Sequence, residues 1–104
     1  MIQAKSNLIY LTRENQINKV LKDQKKDKAK IRILYLSEWD EISQYLNARL
    51  GNYEGPPLFV VDSFNMPHSF VIFKVTETPT LVTLDTNKVD VESYTPRIYK
   101  LLGL

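Results

Sequence analysis

Cysteine is missing from all 104 residues. That excludes a disulfide framework, thiolate catalysis and any cysteine zinc site, and it removes the usual redox clue to compartment. Glycine occurs only three times and histidine once, so there is no glycine-rich phosphate loop and His68 is the sole imidazole available as a base or metal ligand. No apolar run approaches the roughly 20 residues that a membrane-spanning helix needs. Met1 to Asn7 lack the apolar centre of a signal peptide. A cytoplasmic protein without membrane contact is therefore expected. What is present is ordinary for a globular chain: 43% hydrophobic and 25% charged residues, enough for one core and one domain over residues 1–104.

The net charge of +2 is small but uneven. The stretch "KDQKKDKAK", Lys22 to Lys30, sets five lysines against Asp23 and Asp27, leaving nine basic against ten acidic residues elsewhere. A nucleic-acid binder spreads basic charge over a surface. One mixed-charge run reads instead as the solvated end of a helix, so nucleic acid is not the expected partner. Docking of an anionic surface through Lys22 to Lys30 is the alternative reading of that run.

Periodicity orders the elements. Leu8 to Leu11 is a short strand, and Thr12 can cap a helix carrying Ile17, Val20 and Leu21 at helical spacing. "IRILYL", Ile31 to Leu36, is rich in β-branched and aromatic residues and reads as a buried strand. Ser37 and Asp40 form an acidic capping-box variant ahead of a helix placing Trp39, Ile42, Leu46 and Leu50 on one face with Tyr45 beside it, stopped by Gly51. Tyr35 and Tyr45 are assigned to the core. "LFVV", Leu58 to Val61, is the next strand. Residues 66–75 carry mixed signals, with Pro67 a candidate first-turn residue, and predict a short helix or irregular turn. Thr80 to Leu84, the turn "DTNK" and Val89 to Val91 make a hairpin. Thr95 and Pro96 then open a last helix with Ile98, Leu101 and Leu102 facing inward, ended by Gly103. Early alternation demands parallel strands with helical crossovers, and the hairpin adds an antiparallel edge. The class is α/β, a mixed sheet flanked by helices.

Two segments then point to a family. "SEWDEIS", Ser37 to Ser43, follows a strand with Glu-Trp and a helix start. "VTETPTLVTLD", Val75 to Asp85, places Pro79 at the opening of the fourth strand, where its missing N–H costs no ladder bond. Together with Asp62 closing "LFVVD", these segments resemble the thioredoxin family over about Leu8 to Leu102. In that family an Ala-Glu-Trp segment leads into Cys-Gly-Pro-Cys, and an Ile-Pro-Thr-Leu segment has a cis proline bond. The resemblance implies a cis Thr78–Pro79 bond and a groove in which the backbone before the proline pairs with an extended peptide.

The departures decide the chemistry. Asp40 and Ser43 stand at the two cysteine positions, and Leu34 stands where the family keeps its buried proton-transferring aspartate. Disulfide exchange needs a thiolate attacking sulfur, and this chain has none. The expectation is a redox-inactive interaction or assembly module without a cofactor, not an enzyme. Its partner is a protein, held by Glu38, Trp39, Asp40, Glu41, Thr76, Glu77, Thr78 and Pro79. A non-thiol small-ligand binder or enzyme of the glutathione-transferase type is the second reading, and the four carboxylates of the groove argue against it by repelling an anionic ligand. Glu38, Asp40, Glu41, Glu77 and His68 are the only residues that could gather around a metal there, and a capping role for Asp40 explains its position better. Ser43 and His68 lack a nucleophile elbow or an orienting acid. Trp39 is equally placed for contact or core, with Tyr94 and Tyr99 able to continue a contact surface.

Overall fold

The computed structural model describes residues 7–28, 30–62 and 69–104. Five strands form one sheet: β1 (Leu8–Leu11), β2 (Ile31–Leu36), β3 (Leu58–Asp62), β4 (Thr80–Asp85) and β5 (Lys88–Glu92). They lie in the order β1-β3-β2-β4-β5, with β1, β3 and β2 parallel and β4 and β5 antiparallel. The helices are α1 (Glu14–Asp27), α2 (Glu41–Arg49), α3 (Ser69–Ile72) and α4 (Thr95–Leu102). The mixed sheet and its helical crossovers follow the order of apolar runs.

Alternation along the central strands divides the core in two. Ile31, Ile33 and Tyr35 of β2 join Ile17 of α1, Val61, Val75, Val82 and Leu84 on one face of the sheet. Leu34 and Leu36 join Leu46 of α2, Leu50, Tyr53, Leu58, Leu81 and Ile98 of α4 on the other. A strand covered on both faces reads as continuously apolar, which is why "IRILYL" shows no polar alternation. Phe70 of α3 meets the Tyr35 ring edge-on, with centroids 4.8 Å apart, so the ambiguous segment supplies a short helix whose aromatic packs on the core. Pro67 and His68 lie outside the described residues.

Several boundaries and faces differ from the sequence reading. α1 starts after Arg13, because the Gln16 side-chain oxygen accepts from the backbone N–H of both Thr12 (2.7 Å) and Arg13 (2.9 Å). Thr12 is therefore drawn into the cap without being the cap. α4 begins after Tyr94, whose N–H donates to the Glu92 carboxylate at 3.1 Å while Glu92 also pairs with Arg97. Thr95 is consequently the first helical residue, and Leu101 turns outward while Ile98 and Leu102 stay buried. Gly103 closes α4 at φ +74, where a side chain would be strained.

Burial pushes the Tyr35 hydroxyl well above the usual 10.0, helped by the Glu14 charge, and burial also raises Tyr53, partly opposed by Arg32. A raised folded-state pKa leaves the full contribution in place below about pH 10 and loses it as pH climbs further, because only the unfolded chain ionises there. Stability is expected to fall above pH 10 by about 1.4 kcal/mol per pH unit on account of Tyr35, with Tyr53 acting in the same direction. Urea titrations between pH 9 and 12 check this: Tyr35→Phe should flatten the alkaline decline, and an unchanged slope would contradict a dry Tyr35.

Candidate functional site

β2 stops at Leu36 because the next residues turn. The Ser37 C=O accepts from the Asp40 N–H at 3.1 Å and the Ser37 hydroxyl accepts from the Trp39 N–H at 3.4 Å. Asp40, in extended backbone, is the N-cap of α2: its Oδ1 accepts from the Ile42 N–H at 3.1 Å. The cap thus sits three residues later than a Ser37-led capping box would place it. A carboxylate here satisfies an orphan donor and meets the positive end of the helix dipole. The Gln44 amide donates back to the Glu38 carbonyl and holds the turn against the helix.

The other carboxylate oxygen of Asp40 carries the defining geometry. Ser43 Oγ donates to it at 3.1 Å, and Thr78 Oγ1 donates to it at 3.2 Å from 38 residues away. Ser43 is fully buried, Asp40 and Thr78 half-buried. The two positions where the resembled family keeps its thiols are therefore joined by a hydrogen bond, and the same carboxylate clasps the residue before the proline. The Thr78–Pro79 peptide is cis, and Pro79 is buried. Thr80 Oγ1 bonds the Glu77 C=O at 2.6 Å and Ser93 Oγ at 2.8 Å, anchoring the loop to the end of β5.

Around this clasp Glu38, Trp39, Glu41, Thr76 and Glu77 are exposed, Trp39 at 76%. Asp40 and Thr78 touch directly; the other groove residues share the two loops that this contact joins. Among the described residues no group of three His, Asp or Glu is arranged to hold a metal. Outside the sheet ladder, the backbone N–H and C=O of Thr76 and Thr78 take no hydrogen bond from any described residue. Tyr94, two residues past the end of β5, is exposed, whereas Tyr99 is half-buried against the core with Arg49 over its ring at 5.6 Å.

The sequence reading missed the roles of Ser43, Ser93 and the Thr78 hydroxyl. A signal existed for Ser43: three residues after an N-cap carboxylate, its hydroxyl lies within reach of that cap. Ile42 and Tyr45, assigned to the buried face, are 48% and 70% exposed, because Ser43, Leu46 and Leu50 occupy the inner face instead. The lysines of the charged run are exposed and lie at the C-terminal end of α1, which leads into the start of β2. The groove begins where β2 ends, so β2's six residues separate the two sites by about 20 Å.

A cleft of about 290 Å³ opens beside the groove at the C-terminal ends of β1, β3 and β2. Among the described residues its lining includes Tyr10, Thr12, Ser37, Glu38, Asn47 and Asp62 and no Lys, Arg or His. Tyr10 Oη donates to Asn47 at 2.8 Å, and burial raises its pKa.

No family model and no curated protein sequence matches this chain. Solved structures do. Thioredoxin NaTrxh from Nicotiana alata superposes with a TM-score of 0.72 at 16% identity, covering 97% of this chain and 94% of that one. The thioredoxin of Schistosoma mansoni gives 0.74 at 11% identity over 92% and 93% of the two chains. A poplar thioredoxin h mutant gives 0.67 at 18% identity over 99% and 86%. At such identities the likeness concerns the fold: these residues adopt the thioredoxin fold, and they do so without a cysteine.

Proposed function

We propose that this thioredoxin fold without a thiol serves as a single-domain interaction or assembly module, gripping an extended segment of a protein partner in the groove at Glu38, Trp39, Asp40, Glu41 and Thr76 to Pro79. The observation that carries the reading is an exposed tryptophan beside a loop that Asp40 holds in place and whose backbone bonds to no other described residue at Thr76 and Thr78. Adding a short strand to Thr76 and Thr78 would be β-augmentation in miniature. Trp39 supplies apolar area, and Glu38, Glu41 and Glu77 select a neutral or basic segment. No cofactor is needed for this work, and a cytoplasmic setting belongs to the same proposal. No helix among the described residues is long and apolar enough to cross a membrane.

The cleft at the strand ends is the feature a small-ligand reading would use. Among the described residues its lining carries carboxylates and no basic group, which favours neither glutathione nor a phosphorylated ligand. Binding through the lysine run would instead show a steep fall of affinity with salt.

Two measurements test the proposal together. Insulin-disulfide reduction in the presence of dithiothreitol should run at the uncatalysed rate, because no thiolate is available. Pull-down of a partner at modest salt should weaken on Trp39→Ala, with about a tenfold loss of affinity, and survive neutralisation of Lys22, Lys25 and Lys26. Catalysed reduction, or binding that follows the lysines alone, would overturn it.

A further inference from the structure

α2 presents apolar groups on the wrong side for a surface helix. Its inward positions include Ser43, while Ile42 and Tyr45 face solvent. At 100° per residue, Glu41, Tyr45 and Arg49 form one ridge of i±4 neighbours, flanked by Ile42 on one side and Ala48 on the other. All five are exposed. Beside the ridge lies a shallow depression of about 270 Å³ lined by Glu41, Gln44, Tyr45 and Ala48.

We infer that this face pairs with itself, α2 against α2 of a second copy, antiparallel and with Tyr45 near the two-fold axis. The ridge is self-complementary in that arrangement. Residues equidistant from Tyr45 oppose one another, so Ile42 meets Ala48 and the Glu41 carboxylate of each copy approaches the Arg49 guanidinium of the other. That guanidinium lies over the Tyr99 ring of its own chain, and its N–H groups remain able to donate. Small Ala48 lets the backbones approach, and the depression receives an apolar side chain from the facing helix. Ridges of i±4 spacing interdigitate at a crossing angle near −50°. A two-fold contact of this kind closes on itself and stops at a dimer. One helix pair buries less than the roughly 1,200 Å² of a stable interface, so the dimer forms at tens to hundreds of micromolar. It leaves Trp39 and the Thr76 to Pro79 segment uncovered at the N-terminal end of each α2, giving two grooves per assembly, with Glu41 the one residue that the groove and the pairing share.

Sedimentation from about 10 µM to 1 mM tests this on the full chain. The weight-average mass should climb from the 12.1 kDa of one chain towards twice that. Tyr45→Arg should weaken association at least tenfold, as should Glu41→Arg or Arg49→Glu alone, whereas Glu41→Arg combined with Arg49→Glu should restore it. Circular dichroism of each variant confirms that the helix is intact. A single-chain mass at 1 mM, a dimer indifferent to Tyr45→Arg, or a swap that fails to restore pairing would overturn the inference. Partner binding by the groove should persist in Tyr45→Arg. A single-chain mass at every concentration, together with partner binding lost on Tyr45→Arg, would assign this face to the partner and overturn the dimer.

Discussion

Leu34→Asp, which puts a carboxylate where the resemblance to thioredoxins places a proton-transferring aspartate, is expected to cost about 6 kcal/mol at neutral pH. Leu34 is completely buried among Leu36, Leu46, Leu81 and Ile98 beneath α2. A fully buried carboxyl has its pKa raised by about 3–5 units, of which about 3 are realised at pH 7, at about 1.4 kcal/mol each or about 4 kcal/mol together. Losing the leucine's own burial adds about 2 kcal/mol. Because the folded-state pKa lies above the unfolded value near 3.9, the charge penalty is absent below about pH 4 and grows as pH rises towards the folded pKa. The total is comparable to the whole stability of a small domain. Denaturant midpoints measured from pH 3 to 8 should therefore drop steeply with pH for this variant only. A loss below about 1 kcal/mol with no pH dependence would mean that the space under α2 is wet, contrary to the core described here. Cysteines placed at 40 and 43 would therefore have the apolar Leu34 side chain beneath them rather than a carboxylate.

Asp40→Ala is the second large effect. It removes the cap from Ile42, worth about 1 kcal/mol, and leaves the buried Ser43 hydroxyl without its acceptor, worth about 1–3 kcal/mol. Thr78, half-exposed, can turn to water and adds little. A loss of about 2–4 kcal/mol in chemical denaturation is expected, against less than 0.5 kcal/mol for the exposed neighbour change Glu41→Ala. Asp40→Asn, which keeps a carbonyl oxygen, should fall between. If Asp40→Ala is as mild as Glu41→Ala, the carboxylate is not a clasp.

The sequence was legible where a residue's role is set by its own element. The succession of elements along the chain followed from apolar runs, and the place of Pro79 at a strand opening from its inability to donate to a ladder. Asp40 as a helix cap followed from its chemistry. What escaped depends on contacts between elements. Nothing local to Thr78 says that its hydroxyl reaches Asp40 across 38 residues, and nothing local to Ser93 says that it meets Thr80. The face of α2 was misread for a related reason. Trp39, Ile42, Leu46 and Leu50 share a helical spacing, but so do Ser43, Leu46 and Leu50, and periodicity favours the more apolar set. Burying Ser43 becomes acceptable only once Asp40 is known to accept a hydrogen bond from its hydroxyl. That one hydrogen bond turns Ile42 and Tyr45 outward, and with them the surface argued above to pair with a second copy.

The central claim is that the groove beside Asp40, rather than the lysine run, meets the partner. Chemical-shift mapping of a bound partner on isotope-labelled protein tests it most directly, since the two surfaces are about 20 Å apart across the length of β2. The account predicts perturbations at Glu38, Trp39, Asp40, Glu41 and Thr76 to Thr78, with the Trp39 indole among the largest. Shifts gathered on Lys22 to Lys30 with those groove signals unmoved would contradict it.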